Sequence, residues 1–181
     1  MTSGSRGART PLQRLFFALW PDDAVRREIG AIAGCLPRQA GRLVARENFH
    51  ITLLFLGPMD AERRACAERA ADSVAGHAFV LALDQIGWWR GPRVVWIGAP
   101  VVPDALAALA GNLYAGVSGC GIALDKRPFH AHVTIARKAR RAVRADPPDP
   151  VAWQVRSFSL VESVTRSDGA QYTILKTWPL S

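Results

Sequence analysis

The chain has 181 residues, 49% of them hydrophobic, which is enough to bury the core of one compact domain. No apolar run approaches the roughly 20 residues that a membrane-spanning helix needs. Arginine supplies 20 of the 23 basic residues behind the net charge of +8. This excess suits a polyanionic partner, although a coding bias toward arginine and alanine would produce it as well.

The sequence predicts a mixture of strands and helices in the first half of the chain. Residues 1–12 are polar and are expected to form a disordered tail rather than a signal peptide. Hydrophobic periodicity and turn residues then predict a strand at 14–20, a helix from 22 toward 35, a strand at 49–57, a helix at 60–75, and two strands around a turn at 90–92.

The second half repeats this mixture. We predict a helix over 102–117, a strand around His132, a basic and proline-rich surface loop at 138–150, and a hairpin that turns at 167–169. The predicted fold is therefore a single α+β domain over 13–181. His50 and His132 lie in comparable strands, so we expect an internally duplicated, two-lobed domain whose two strands face each other across a cleft.

The three cysteines are Cys35, Cys66 and Cys120. Their number is odd, and they form neither a Cys-x-x-Cys pair nor a zinc pattern. We expect free thiols that act as small apolar residues in a reducing cytoplasm.

Two His-x-Thr motifs interrupt otherwise apolar strands, namely His50 with Thr52 and His132 with Thr134. Side chains alternate along a strand, so each histidine shares a face with its threonine. With seven threonines in the chain, chance would place a threonine two residues after both of any two histidines in roughly 1% of cases.

This pattern indicates phosphodiester chemistry. One imidazole can deprotonate an attacking water while the other protonates the departing oxygen, and the threonine hydroxyls can bind non-bridging phosphate oxygens. No metal is needed for such a reaction. Two alternatives remain open: the histidines are structural, or His130 and His132 ligate a metal ion, for which a third ligand is missing from the pattern.

Five segments, taken in order, resemble the LigT-like RNA 2′,3′-cyclic phosphodiesterases, or 2′-5′ RNA ligases, of the two-histidine phosphoesterase superfamily. They are "RLFFALWPDDAVRREI", "ENFHITLLFLG", "PRVVWIGAP", "RPFHAHVTIAR" and "FSLVESVTRSDGAQYTILKTWPL". The resemblance implies a bilobed α+β fold with antiparallel sheets, outer helices and a central cleft. It also implies hydrolysis of RNA 2′,3′-cyclic phosphate ends to 2′-phosphates without metal or cofactor, with 2′-5′ ligation as the reverse reaction.

The resemblance also assigns site residues. His50 and His132 match the catalytic histidines, and Thr52 and Thr134 match the phosphate-binding threonines. Arg137 matches a basic position that would contact the phosphate or the terminal base. On a regular strand Arg137 would lie on the face opposite His132, so we expect it to act where the strand ends or bends. The family's usual proline is Ala131 here, a difference that concerns strand geometry more than chemistry.

Several aromatic and basic residues have weaker assignments. Phe17 is a candidate for stacking on a base, with core packing as its alternative. The three tryptophans near the turn at 90–92 line the cleft or pack inside, namely Trp88, Trp89 and Trp96. The basic residues at 137–144 either guide an RNA strand or form a solvated loop.

The sequence thus predicts a cytoplasmic phosphoric diester hydrolase without cofactor. Its predicted partner is RNA with cyclic phosphate ends, such as tRNA fragments, and it is expected to act as a monomer away from membranes. The alternatives are a phosphodiesterase for a small cyclic nucleotide or cyclic ADP-ribose phosphate, a non-catalytic RNA-binding module, and a metallohydrolase.

Overall fold

The computed structural model describes residues 12–125, 127–143, 149–167 and 169–181. The predicted disordered tail, apart from exposed Leu12, therefore lies outside the described residues. The helices are α1 Asp23–Gly34, α2 Ala61–Asp72 and α3 Asp104–Val117. The strands are β1 Gln13–Leu19, β2 Arg42–Leu43, β3 Ile51–Met59, β4 Phe79–Leu83, β5 Gln85–Trp89, β6 Val94–Gly98, β7 His132–Arg137, β8 Val151–Val155, β9 Ser157–Arg166 and β10 Gly169–Pro179.

The helix boundaries follow from capping. The Asp22 carboxylate accepts a hydrogen bond from the Val25 N–H at 2.9 Å and begins α1. Asp60 does the same for the Arg63 N–H at 2.9 Å and begins α2. Each bond satisfies one of the backbone donors that a helix leaves open at its start, so these aspartates determine where the helices begin.

Most of the strands form one antiparallel sheet in the order β10-β9-β1-β3-β7-β6-β5, with β2 added to β7. This architecture confirms the predicted α+β class with antiparallel pairing. The two motif-bearing strands, β3 and β7, are neighbours that share a single residue pair among the described residues, Ile51 with Val133. The expectation that they face each other across a cleft is wrong: they lie side by side in one sheet.

A second, two-stranded sheet pairs β4 with β8. The stretch predicted as one strand before the turn at 90–92 divides at Asp84, with β4 in this small sheet and β5 in the large one. The Asp84 N–H donates to the Gly98 carbonyl at 3.2 Å, which holds the chain beside β6 as it crosses between sheets. Hydrophobicity marks both strands but not the change of sheet.

The core lies between the large sheet and the elements that cover it. Its fully buried side chains include Leu19, Ile51, Ile97 and Leu106. No helix in the described part of the chain has the length and apolar character needed to cross a bilayer.

Helices α2 and α3 pack together, and their contact corrects the prediction of three free thiols. Cys66 on α2 and Cys120, just after α3, form a disulfide although 54 residues separate them. Their Cα atoms are 5.7 Å apart, a usual separation for this bond. Only Cys35 keeps a free thiol, and it is exposed. The cysteine count therefore gives no support to the cytoplasmic prediction.

The remaining connections match expectation where they are described. Residues 138–143 and 149–150 of the predicted loop contain no helix or strand. The predicted hairpin is confirmed by antiparallel pairing of β9 with β10, beginning at Arg166 and Gly169. This hairpin and β2 both border the site described next.

Candidate active site

The two His-x-Thr motifs meet where β3 and β7 are adjacent. Because Ile51 pairs with Val133 in antiparallel fashion, His50 lies next to Thr134, and Thr52 lies next to His132. These four side chains point to the sheet face opposite Ile51 and Val133, both of which are fully buried. Each histidine therefore stands beside the threonine of the other motif.

Each imidazole is held by the same local contact. Nδ1 of His50 is 2.7 Å from the Asn48 carbonyl oxygen, and Nδ1 of His132 is 2.7 Å from the His130 carbonyl oxygen. A carbonyl only accepts hydrogen bonds, so Nδ1 carries the hydrogen in both rings. Nε2 is then the ring nitrogen left for proton transfer in each motif.

Aromatic side chains surround His50. Its ring stacks on Trp20 at a centroid separation of 5.2 Å, and the Phe16 and Tyr172 rings lie 5.0 Å away on other sides. This burial lowers the pKa of His50 to about 4, against the opposing effect of the Asn48 carbonyl. The positive charges of Arg137 and protonated His132 lower the pKa further. His50 is thus a neutral base at neutral pH.

His132 has an aromatic wall of its own. The Trp89 ring meets it edge-to-face at 4.5 Å, and His130 lies 5.7 Å away. Burial lowers the pKa of His132 below its ordinary value; the His130 carbonyl opposes this effect, and the charges of His130 and Arg137 add to the lowering. Both imidazoles of the free protein therefore favour the neutral state at pH 7.

A bulge in β7 brings Arg137 to the same face. Opposite β6, Val95 pairs with Ala136 and Trp96 pairs with Thr134, so Ile135 is an extra residue in β7. Ile135 and Ala136 are both buried, and the alternation resumes with Arg137 exposed. The strand alternation used in the prediction fails at this bulge, whereas the expectation that Arg137 acts where the strand bends agrees with the geometry.

A cavity of about 1010 Å³ opens beside the motifs and is lined by His50, Thr134 and Arg137 together with Tyr172 of β10. Asn48 ties this region to the hairpin, since its side-chain amide donates to the Ala170 carbonyl at 3.3 Å. The cavity therefore combines His50 of one motif and Thr134 of the other with the turn end of the β9–β10 hairpin, whereas His132 and Thr52 are not among its lining residues.

The stacking role predicted for Phe17 is wrong. Its side chain is fully buried and packs edge-on against Phe158 and Trp178, at 6.2 and 5.8 Å. A base cannot reach a ring in that position, because β1 is central in the sheet and directs Phe17 into the core.

The tryptophans near the turn at 90–92 divide between site and core. Trp89 contacts His132, Trp96 contacts His130 at 4.7 Å, and Trp88 packs against the main core. Gly87 leaves room for the Trp96 ring, since a side chain at position 87 would collide with it. Among the described residues, no three His, Cys, Asp or Glu side chains are grouped so as to hold a metal ion.

Several residues of this site were not identified from sequence. Trp20 and Tyr172 contact His50, while Arg42 and Arg166 line the cavity. Trp20 is the last residue of the predicted first strand, and Tyr172 lies in a predicted strand, but neither carries a local signal that it approaches His50. Arg42 lies in a two-residue strand, too short for any periodicity to reveal.

The arrangement supports acid–base chemistry at an anion. Two imidazoles present Nε2 on one sheet face, each with a hydroxyl beside it, and a guanidinium stands at the end of the same row. An oxyanion bound between the rings would meet a proton acceptor, a proton donor and a fixed positive charge.

Comparison with known proteins identifies the same fold and sequence pattern. The sequence profile of the 2′-5′ RNA ligase superfamily matches residues 21–166. The RNA 2′,3′-cyclic phosphodiesterase of Escherichia coli (strain K12) is 37% identical over 171 residues, which cover 93% of this chain and 97% of that protein.

Solved structures of a related protein have the same fold as this chain. The crystal structure of E. coli LigT in apo form superposes with a TM-score of 0.88 at 37% identity, covering 95% of this chain and 99% of the other. The same protein complexed with 3′-AMP gives a TM-score of 0.88, covering 94% and 99% of the two chains.

Proposed function

Since the chain belongs to the 2′-5′ RNA ligase superfamily, we propose that it is a phosphoric diester hydrolase acting on RNA 2′,3′-cyclic phosphate ends. The relative from E. coli is named for this activity, and its structure has been solved with 3′-AMP. The proposed products are a 2′-phosphate and a free 3′-hydroxyl. Ligation through a 2′-5′ linkage follows when a 5′-hydroxyl replaces water as the nucleophile: its oxygen bonds to phosphorus, the bond to the 3′ oxygen breaks, and that oxygen takes the proton.

One observation carries the proposal: His50 and His132 present Nε2 on one face of the sheet because each Nδ1 is engaged by the carbonyl two residues earlier. A histidine with a purely structural role would not require a second imidazole held by the same Nδ1–carbonyl contact. Two imidazoles with the same tautomer on neighbouring strands meet the requirement for paired proton transfer.

The reaction proceeds by in-line displacement at phosphorus. One Nε2, unprotonated, accepts a proton from water as the water oxygen forms a bond to phosphorus. The bond from phosphorus to the 3′ oxygen breaks, and the second Nε2, protonated, gives its hydrogen to that oxygen. The two rings exchange protonation states, and solvent restores them. Neither step requires a metal ion.

Thr52, Thr134 and Arg137 would stabilise the phosphate. The hydroxyls donate to non-bridging oxygens, and the guanidinium offsets charge that accumulates on them in the transition state. The anionic substrate also favours protonation of a nearby imidazole, which opposes the lowered pKa of His132 in the free protein. Substrate binding therefore helps to load the proton that the leaving oxygen needs.

All four motif side chains belong to one chain, so a monomer would suffice for catalysis. Fragments of tRNA with cyclic phosphate ends are members of the proposed substrate class. A chain that only binds RNA, or a metallohydrolase, would have the same family membership, and incubation with an RNA substrate in EDTA separates these possibilities.

The test uses a short RNA ending in a 2′,3′-cyclic phosphate, incubated with the protein in EDTA, with the product identified as a 2′- or 3′-phosphate. We expect the 2′-phosphate, and a turnover at least about 10²-fold lower for His50→Ala and for His132→Ala. His77→Ala is the matched control, because His77 is exposed and bonds the Ser181 hydroxyl away from the site.

The outcomes separate the possibilities. RNA binding without turnover in the wild-type protein would indicate a binding module, and loss of turnover in EDTA would indicate a metallohydrolase. Turnover that both His→Ala variants retain, with His77→Ala as the reference, would contradict the proposal. Far-UV circular dichroism of each variant verifies that the fold is kept.

A further inference from the structure

The cavity beside His50 extends well beyond that residue and is strongly basic. Within the part of the chain that the structure describes, four cationic side chains line it, namely Arg42, Arg137, Lys138 and Arg166, against one carboxylate, that of Glu47. Only Arg137 has a place in the proposed reaction. The other cations need an explanation, since a small cyclic phosphate carries one negative charge.

Arg42 is placed next to Arg137 by the backbone. The two are directly opposed in the antiparallel pairing of β2 with β7. Opposed residues on antiparallel strands have neighbouring side chains on one face, and like charges in that position are destabilising. This arrangement is therefore expected where an anion binds between the two groups.

Gly41 makes the approach of β2 possible. Its φ is +90°, a conformation that favours glycine, and a Cβ there would collide with the backbone of Arg137 and Lys138. The Val44 N–H also donates to the Ile135 carbonyl at 2.9 Å. The chain thus holds Arg42 against the end of β7 at a position that costs electrostatic energy.

Arg166 reaches the same cavity from the other side. It ends β9, beside the turn of the hairpin, and its Nε donates to the Gln171 side chain at 3.3 Å. The hairpin belongs to the β1–β3 half of the sheet, and β2 belongs to the β7 half. Among the described residues, none of Arg42, Arg137, Lys138 and Arg166 forms a salt bridge.

From these contacts we infer that Arg42 and Arg166 form a subsite for the internucleotide phosphates on the 5′ side of the cyclic end. The subsite makes an oligonucleotide a better substrate than a cyclic mononucleotide. This inference rests on the proposed function. Both arginines line the cavity that His50, Thr134 and Arg137 also line, so an RNA strand whose terminal phosphate lies at these residues can place its next phosphates at the two guanidinium groups. Their guanidinium groups are suited to two-point phosphate contacts.

The test compares kcat/KM for uridine 2′,3′-cyclic phosphate with kcat/KM for a tetrauridylate that ends in the cyclic phosphate. We expect the wild-type protein to prefer the tetranucleotide. Arg42→Gln and Arg166→Gln should each lower the ratio of the two constants about three- to fivefold. Each should also reduce the logarithmic salt slope of tetranucleotide binding by about 0.7.

Arg69→Gln is the matched control, since it removes the same charge from an exposed position on α2 outside the cavity. It should leave the length preference and the salt slope as in the wild type. An equal fall for both substrates in the groove variants, or no change in the ratio, would overturn the inference while leaving the hydrolase intact.

Binding gives a readout that does not depend on turnover. Fluorescence anisotropy with a labelled tetrauridylate 3′-phosphate should show weaker binding by Arg42→Gln and Arg166→Gln than by Arg69→Gln. If the wild-type protein hydrolyses neither substrate, the proposed function fails, and this comparison still decides the subsite: equal affinities in all three variants would refute it.

Discussion

At the scale of single residues, the site depends on two imidazoles whose surroundings make them neutral. His50 is enclosed by Phe16, Trp20 and Tyr172, and His132 is covered by Trp89. Removing water from an imidazole disfavours its charged form, so burial lowers both pKa values. The aromatic side chains that keep both imidazoles neutral therefore also make the folded protein sensitive to acid.

This sensitivity gives a prediction for stability. The pKa of His50 is about 4 in the folded protein and about 6.5 when unfolded, so the unfolded chain binds more protons between these values. The contribution of neutral His50 is complete above pH 6.5 and is lost as the pH falls toward 4. Urea unfolding at about pH 7.5 and pH 4.5 should show a drop roughly 2–3 kcal/mol larger for the wild type than for His50→Gln.

His77→Gln provides the control for general acid effects and should follow the wild type. Parallel stability curves for wild type and His50→Gln across this range would contradict the lowered pKa of His50.

At the scale of elements, short and irregular pieces place the charged groups. The bulge at Ile135 turns Arg137 to the histidine face, and two-residue β2 brings Arg42 beside it. Both depend on backbone geometry that a single side chain can disturb.

Gly41 is the position where this dependence can be measured. Gly41→Ala places a Cβ in the left-handed region of φ and against the Arg137 carbonyl. We expect β2 to move away from β7, with a loss of roughly 1–3 kcal/mol in the free energy of unfolding and a reduced preference for the tetranucleotide. Urea unfolding and the kcat/KM ratio measure the two effects.

Gly34→Ala serves for comparison, because nothing lies within 4 Å of a Cβ at the end of α1. It should be neutral or slightly stabilising. A Gly41→Ala variant as stable and as selective as Gly34→Ala would show that β2 does not need the glycine.

The Cys66–Cys120 bond offers a second test at this scale. It closes a loop of 54 residues between α2 and the end of α3, which restricts the unfolded chain. Cys66→Ser with Cys120→Ser should lower the free energy of unfolding by about 2–4 kcal/mol in a non-reducing buffer. Hydrolytic activity at 25 °C should be little affected, because neither cysteine lines the cavity.

Cys35→Ser is the control for loss of a thiol and should retain wild-type stability. Equal stability of the double variant and Cys35→Ser would contradict a disulfide between α2 and α3. Mass spectrometry of the alkylated, unreduced protein gives an independent count of free thiols.

At the scale of the whole molecule, the site lies at the junction of two halves of one sheet. The β1–β3 half supplies His50 and Thr52, and the β7 half supplies His132 and Thr134, with one residue pair joining the strands. The strands diverge on either side of that pair. The cavity and its basic lining lie beside this junction, where His50 and Thr134 both line it.

Sequence reasoning reaches the parts of this site that local pattern controls. The shared face of each histidine and its threonine was predictable because side chains at every second position of a strand lie on one side. The helix starts at Asp22 and Asp60 were predictable because capping depends on neighbouring residues alone.

Long-range pairing controls the rest. The face on which Arg137 lies depends on how β7 pairs with β6, and the disulfide depends on how α2 meets α3. The choice between core packing and base stacking for Phe17 stayed open because β1 alone does not reveal that it lies between two other strands. None of these contacts leaves a periodic signal in the segments concerned.

The central claim is that one imidazole of the pair accepts a proton while the other donates one. The pH dependence of kcat/KM tests it directly, with a short RNA ending in a 2′,3′-cyclic phosphate and with circular dichroism at each pH. Because both pKa values are lowered, we predict a bell-shaped profile with its maximum below about pH 6.5 and both limbs set by the pair. A rate that rises or falls monotonically between about pH 4 and 9, with the fold intact, would contradict the account.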